Sequence, residues 1–256
     1  MLKIENTENL TGVCISGDYE DLYNLVEAFH EITVNEYDDA YDERYAKISS
    51  RVLGLCYDVR HAYQGDRQVE FVENGMDKHK MIYHEIVVPK SNVYYKVNYL
   101  YPEMIYILIA LNELVRFRMK NLAKTNMYDI AFSKNVIWDE TIATIRFFQS
   151  MFVKCVKETL SEAAFSRFLN MTTKAYTNIY IMAHQYLDLL NIRYINMDKE
   201  KRLKNLSIFT KRIVEFMTNV EHNEIKTEVE NAAKEHNCHS DNIRMVGCDY
   251  PEVTDW

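Results

Sequence analysis

Glycine and proline are scarce in this 256-residue chain, 6 and 3 in all. So few breakers leave little material for tight turns or phosphate-cradling loops, which argues against an all-β sandwich and Gly-rich nucleotide folds and makes helix the default. No Gly-x-Gly-x-x-Gly, Walker loop, Gly-x-Ser-x-Gly or His-Glu-x-x-His occurs. The common cofactor and hydrolase routes are closed, and neither a cofactor nor a metal centre is expected. Positive charge is also in deficit: a formal net charge of -8 repels phosphate backbones and anionic lipids, so nucleic-acid binding would need a local basic patch. Long apolar runs are missing. The greasiest stretch, residues 104–111, lies between Glu103 and Glu113 and is too short to cross a bilayer. The charged opening Met1-Leu2-Lys3-Ile4-Glu5 lacks the apolar core of a signal peptide. Five cysteines, at 14, 56, 155, 238 and 248, show no regular framework, and the odd count suits reduced thiols in a cytosol.

What remains is a globular composition, 48% hydrophobic and 27% charged, long enough to bury one sizeable core. Residues 2–5 and 12–16 read as a short N-terminal hairpin. Asp18, with Asp21 three positions on, caps a helix over 19–32 whose apolar face is Leu22, Leu25, Val26, Phe29 and Ile32. After an acidic break at 37–39, Tyr41, Tyr45, Ile48, Val52, Leu55, Val59 and Ala62 form an apolar seam that ends at Gly65. The period then shifts towards two. Val69 and Phe71 alternate with charged neighbours, Asn74-Gly75 reads as a hairpin turn, and strands are expected over 79–88 and 93–100, a three-stranded meander. Pro102 opens a helix that is apolar on every side and so belongs at the centre. Helices are expected over 138–159, 161–169, 171–195 and 199–235. The predicted fold class is α+β, one domain over 1–235 with a sheet-containing part (1–101) and a helical bundle (102–235). An irregular tail over 236–256 is pinned by Trp256 or mobile.

The densest polar cluster is Asp58-Val59-Arg60-His61-Ala62-Tyr63-Gln64-Gly65-Asp66-Arg67. On a helix Asp58 and His61 are three apart, so the carboxylate can orient the imidazole for acid/base work, with Arg60, Gln64, Asp66 and Arg67 as ligand-binding groups around an anion. The same residues have structural readings: Arg60 and His61 suit a helix C-terminus, and the cluster can lock helix to sheet. His236, Cys238, His239 and Cys248 are zinc-ligand types at the wrong spacing, since adjacent Cys238 and His239 rarely reach one ion together. Basic stripes at Lys199, Lys201, Arg202, Lys204, Lys211 and Arg212 and at Arg116, Arg118, Lys120 and Lys124 are more often solvated faces than phosphate contacts. Nineteen tyrosines and twelve methionines exceed what core filling usually asks for; most suit half-buried core edges, and both residue types are also favoured on binding surfaces. Tyr94, Tyr95, Tyr99 and Tyr101, read as one strand showing tyrosine on both faces, suggest a protein partner or self-association.

Three stretches carry a resemblance: Leu10-Thr11-Gly12-Val13-Cys14-Ile15-Ser16-Gly17-Asp18-Tyr19, then Arg60-His61-Ala62-Tyr63-Gln64-Gly65-Asp66-Arg67, and Val97-Asn98-Tyr99-Leu100-Tyr101-Pro102-Glu103 leading to Leu111-Asn112. Over about the first half of the chain they resemble an uncharacterised family of bacterial proteins. The resemblance implies bacterial origin and a shared fold and carries over no catalytic residue. The expectation is a bacterial, cytosolic protein-interaction or oligomerising module, an accessory of a regulatory or phage-defence system. The alternative is a metal-independent hydrolase or transferase acting on a phosphate-bearing substrate through His61, Asp58, Arg60 and Arg67.

Overall fold

The computed structural model describes residues 1–34, 42–123, 130–174 and 177–256. The fold is α+β: among the described residues, ten helices accompany one four-stranded antiparallel sheet. Strands β1 (Lys3–Asn6) and β2 (Gly12–Gly17) form the expected hairpin. Helix α1 (Tyr19–Ile32) starts with a reciprocal cap, in which Asp18 Oδ1 accepts from the Asp21 N–H at 3.0 Å and Asp21 Oδ2 accepts from the Asp18 N–H at 3.1 Å. The seam predicted for α2 (Glu43–His61) is equally firm: Ile48, Val52, Leu55 and Val59 are buried, as is Ala62 just beyond it. Tyr41 and the acidic break at 37–39 lie outside the described residues. A π-helical turn, Ala62–Asp66, then redirects the chain, with Gly65 at φ 90, a left-handed conformation that costs glycine little.

Strand β3 (Gln68–Glu73) follows as expected, but the strand predicted over 79–88 does not form. Asn74-Gly75 does turn, with Asn74 Oδ1 accepting from the Met76 N–H at 3.0 Å, but it leads into helix α3 (Lys78–His84). Asp77 caps α3 through the Lys80 N–H at 2.9 Å, and left-handed Glu85 (φ 55) ends it. His79 and His84 therefore sit on a helix. With no buried side chain in α3, tertiary packing gives the segment no reason to be a strand, and the local cap decides. Strand β4 (Ser91–Leu100) pairs directly with β3 and with β2, giving the order β1-β2-β4-β3.

Helix α4 (Tyr101–Ala123) is the central element, with every residue from 101 to 111 buried. It packs against α2, the sheet and two C-terminal helices, α8 (His184–Ile195) and α9 (Lys199–Val214). Between α4 and α8 come the short α5 (Lys134–Ile137), α6 (Glu140–Thr159) and α7 (Glu162–Thr172), and α10 (Val220–Glu235) follows α9. The helix expected over 171–195 begins only at His184. The one expected over 199–235 is two, because the chain turns at Phe216–Thr218 and Asn219 caps α10 by accepting from the His222 N–H at 3.1 Å. One hydrophobic cluster runs from Leu2 to Val229. The tail is irregular and pinned: Asn9 Nδ2 donates to Asp255 Oδ1 at 2.8 Å and to the Trp256 carbonyl at 3.2 Å, and the Thr11 hydroxyl donates to the Asp255 carbonyl. No helix among the described residues is long and apolar enough to cross a membrane.

The β2–β4 contact leaves no room at Gly12, where a Cβ would stand 1.9 Å from the Tyr99 carbonyl oxygen. Gly12→Ala is predicted to force the two strands apart and to cost about 2–4 kcal/mol. A urea unfolding midpoint unchanged from the parent would refute this.

Candidate functional site

Burying the start of α4 carries Glu103 into the interior with it. A buried carboxylate needs a counter-charge and donors. Arg51, on α2, supplies the charge at 3.5 Å, and Asn191, on α8, donates Nδ2–H to Glu103 Oε2 at 2.6 Å. Arg51 also donates to Asp188 Oδ1 at 2.8 Å and to the His184 carbonyl at 3.1 Å. His184, Asp188 and Asn191 stand at i, i+4 and i+7, so α8 presents one polar stripe to the junction of α2 and α4. Tyr250 of the tail completes the network, accepting from Asn191 Nδ2 at 3.1 Å and donating to Asp188 Oδ1 at 3.2 Å.

Electrostatics follow from this packing. Burial pushes the Glu103 carboxyl up, while Arg51 and the Asn191 amide oppose the shift. Burial disfavours the charge on Arg51, but its two carboxylates outweigh that and hold the guanidinium protonated. His184 lies within 3.4 Å of Asp241, yet burial and the positive Arg51 and Lys47 push its pKa down to about 2, so the ring is neutral. Beside the network opens a cavity of about 330 Å³, walled by Arg51, Asp58, Tyr99, Glu103, Asn191 and Tyr250, with Thr254 and Trp256 contributed by the tail.

The cluster read from the sequence adjoins this cavity but is wired differently from expectation. Asp58 does not orient His61. Its Oδ1 accepts from Arg67 at 2.9 Å, while His61 Nδ1 pairs with Asp66 Oδ2 at 2.9 Å inside the π turn. Arg60 lies over the Tyr57 ring at 5.4 Å, and Gln64 is exposed. Of the six, only Asp58 lines the cavity. The two ion pairs tie the end of α2 to the turn and to the start of β3. No group of three or more His, Cys, Asp or Glu side chains suited to a metal occurs among the described residues, and that includes His236, Cys238, His239 and Cys248.

Other sequence candidates find internal uses. Arg202, counted in a basic stripe, is buried and donates to the carbonyls of Tyr194, Asn9 and Ile195. Arg118 is held by Asp139, and Lys124 lies outside the described residues. The tyrosine run is divided: Tyr101 is the buried first residue of α4, Tyr99 lines the cavity, and Tyr94 accepts from the Met1 amine. Sequence reasoning passed over Arg51, Asp188, Asn191 and Tyr250. The signal that could have found three of the network's residues was the i, i+4, i+7 spacing of His184, Asp188 and Asn191 in a helix otherwise rich in large apolar residues.

A family model described as a domain of unknown function (DUF6904) matches residues 2–256, and the chain belongs to that family. No curated protein and no solved structure matches it.

Arg51→Met strands Glu103 and Asp188 without their cation and should cost about 3 kcal/mol, part of which Arg51→Met/Glu103→Gln recovers. Denaturant titrations of the four species of that cycle measure it, and independent, additive effects would refute it. For His184 the folded pKa lies below the unfolded value, so the unfolded chain binds the extra proton and stability falls as pH drops below about 6.5 towards 2. Between pH 7 and pH 5 the parent should lose about 2 kcal/mol more than His184→Gln. Equal losses would show that the ring takes up its proton without unfolding.

Proposed function

We propose that the chain is an oligomerising interaction module whose contact surface is the open β3 edge, and that the occupant of that edge is a second copy of the same chain. The two edges of the sheet differ. β1 is flanked by α6, with Asn6 Nδ2 donating to the Thr159 hydroxyl at 2.9 Å. β3 ends the sheet on the other side, and no residue from 67 to 92 is buried. The segment exposes Phe71 (72%), Ile82, Tyr83 and Val87, and α3 packs broadly against no other element among the described residues. An open edge with apolar side chains is a template for another strand.

The observation that carries the reading is the backbone register. The Asn74 N–H donates to the Lys90 carbonyl at 3.0 Å, continuing the β3–β4 pairing of Val72 with Asn92 and Glu70 with Tyr94. In an antiparallel ladder these alternate residues direct their backbone groups to β4, so Val69, Phe71 and Glu73 direct theirs outward. A two-fold pairing centred on Phe71 sets Phe71 against Phe71 of the second copy, Val69 against Glu73 and Glu70 against Val72. Every outward group finds a partner, no like charges meet, and two phenyl rings stand opposite each other in a self-complementary interface. The proposal keeps, as its biological context, an accessory role in a regulatory or phage-defence system. The alternative, chemistry on a phosphate-bearing substrate at the 58–67 cluster, has less support: Asp58, His61, Asp66 and Arg67 are engaged with one another.

Light scattering on the purified chain should give twice the 30.4 kDa chain mass. Phe71→Pro should return the single mass with an unchanged circular dichroism spectrum, because the N–H it removes points away from the sheet. His61→Ala should leave the double mass unaltered. A parent chain of single mass at micromolar concentration, or a Phe71→Pro variant that still pairs, would overturn the proposal.

A further inference from the structure

We propose that Lys47 is a nucleophilic amine and that the hollow around it takes a small uncharged aldehyde, with which Lys47 forms an imine. The proposal depends neither on the β3 edge nor on the network at Glu103.

The hollow, of about 490 Å³, lies between the start of α2 and the start of the tail. Lys47 and Ser50 of α2, Tyr180, and His239 and Asp241 of the tail line it. Among the described residues Lys47 makes one ion pair, with Asp241 Oδ1 at 3.9 Å, and donates no hydrogen bond. Its side chain is 23% exposed, and the nitrogen itself is open to solvent. An ammonium group that is largely covered, with no acceptor at hydrogen-bonding distance, is poorly compensated for its charge. The carboxylate beside it is shared three ways, since Asp241 Oδ1 also lies 3.4 Å from His184 Nδ1 and Oδ2 lies 3.6 Å from His239 Nδ1.

The surrounding charges favour the free amine. Burial pushes the Lys47 pKa down, Lys226 and Arg51 add to that shift, and Asp241 and Glu230 oppose it. A desolvated lysine beside other cations is the form of this side chain that attacks carbonyl carbons. The Nζ lone pair forms the C–N bond, the carbonyl oxygen takes up both protons of the amine, and that oxygen departs as water to leave the C=N bond. No oxidant or reductant enters. Charge also selects the substrate. Arg44, at the same hollow, is forked onto Asp42, so it is not available to an anionic group, while Asp241 and the exposed Glu43 repel one.

The test is reductive alkylation of the full chain with butyraldehyde and cyanoborohydride, each lysine being followed by peptide mass spectrometry. At pH 7 Lys47 should react at least about threefold faster than Lys204, whose side chain is 76% exposed. That ratio should shrink as the pH is raised towards 10, where every amine loses its proton. The Lys47 rate should level off with rising butyraldehyde, as a binding site requires, while the Lys204 rate stays proportional to it. Asp241→Asn should move the Lys47 rate profile to lower pH, because the carboxylate favours the charged amine. Lys47 reacting no faster than Lys204 at pH 7, a Lys47 rate that never saturates, or a profile that Asp241→Asn leaves in place would each overturn the proposal.

Discussion

A helix that is apolar on every side has to be surrounded, and α4 sets that condition for the whole molecule. Residues 101–111 are buried without a break, so no face of this segment is left for water. The sheet, α2, α8 and α9 each take part of its circumference. Because β4 runs directly into α4, the sheet is attached to its first turn, and the Tyr101 N–H donates to the Thr11 carbonyl at 3.2 Å. The close approach at Gly12 belongs to the same junction. Sheet and bundle are thus parts of one core, arranged around a helix that neither could bury alone.

That demand generates the polar network. Glu103 enters the interior because it sits two residues into a helix that has to be covered there, and its burial is tolerable only with Arg51 and Asn191 in place. Arg51 in turn couples α2 to α8 through Asp188, and Tyr250 brings the tail onto the same atoms. The cavity lies where these polar groups keep apolar side chains from closing the gap. Buried ion pairs add little net stability compared with apolar packing. They fix relative positions, and here they fix α2, α4, α8 and the tail against one another.

What the sequence disclosed and what it hid divide along the range of the interactions. The α1 cap at Asp18, the α2 seam and the all-round burial of α4 are decided within one or two helical turns, and all three were legible. The candidate site was not. Arg51 and Asp188 are 137 positions apart and Glu103 and Asn191 are 88 apart, so no local pattern links them. The 58–67 cluster drew the eye because its polar residues are contiguous, yet contiguity said nothing about pairing. The π turn brought Asp66 to His61 and left Asp58 to Arg67, and only Asp58 reaches the cavity. The false strand over 79–88 has a related origin. A short apolar run with β-branched residues reads equally as strand or helix, and where nothing buries it the Asp77 cap governs.

The open β3 edge adjoins that segment. In the expected meander 79–88 would have stood between β3 and β4, whereas β3 pairs with β4 directly and ends the sheet. Val69, Phe71 and Glu73 direct backbone groups outward, with no strand paired on that side among the described residues. Edge strands are usually blunted by charge, and Glu70 and Glu73 would serve that purpose against most partners. In the two-fold register centred on Phe71, however, both glutamates face valines, so charges that discourage other pairings leave this one open. In the proposed dimer, selectivity for a second copy would follow from the order of six residues, Gln68-Val69-Glu70-Phe71-Val72-Glu73, and would require no pocket.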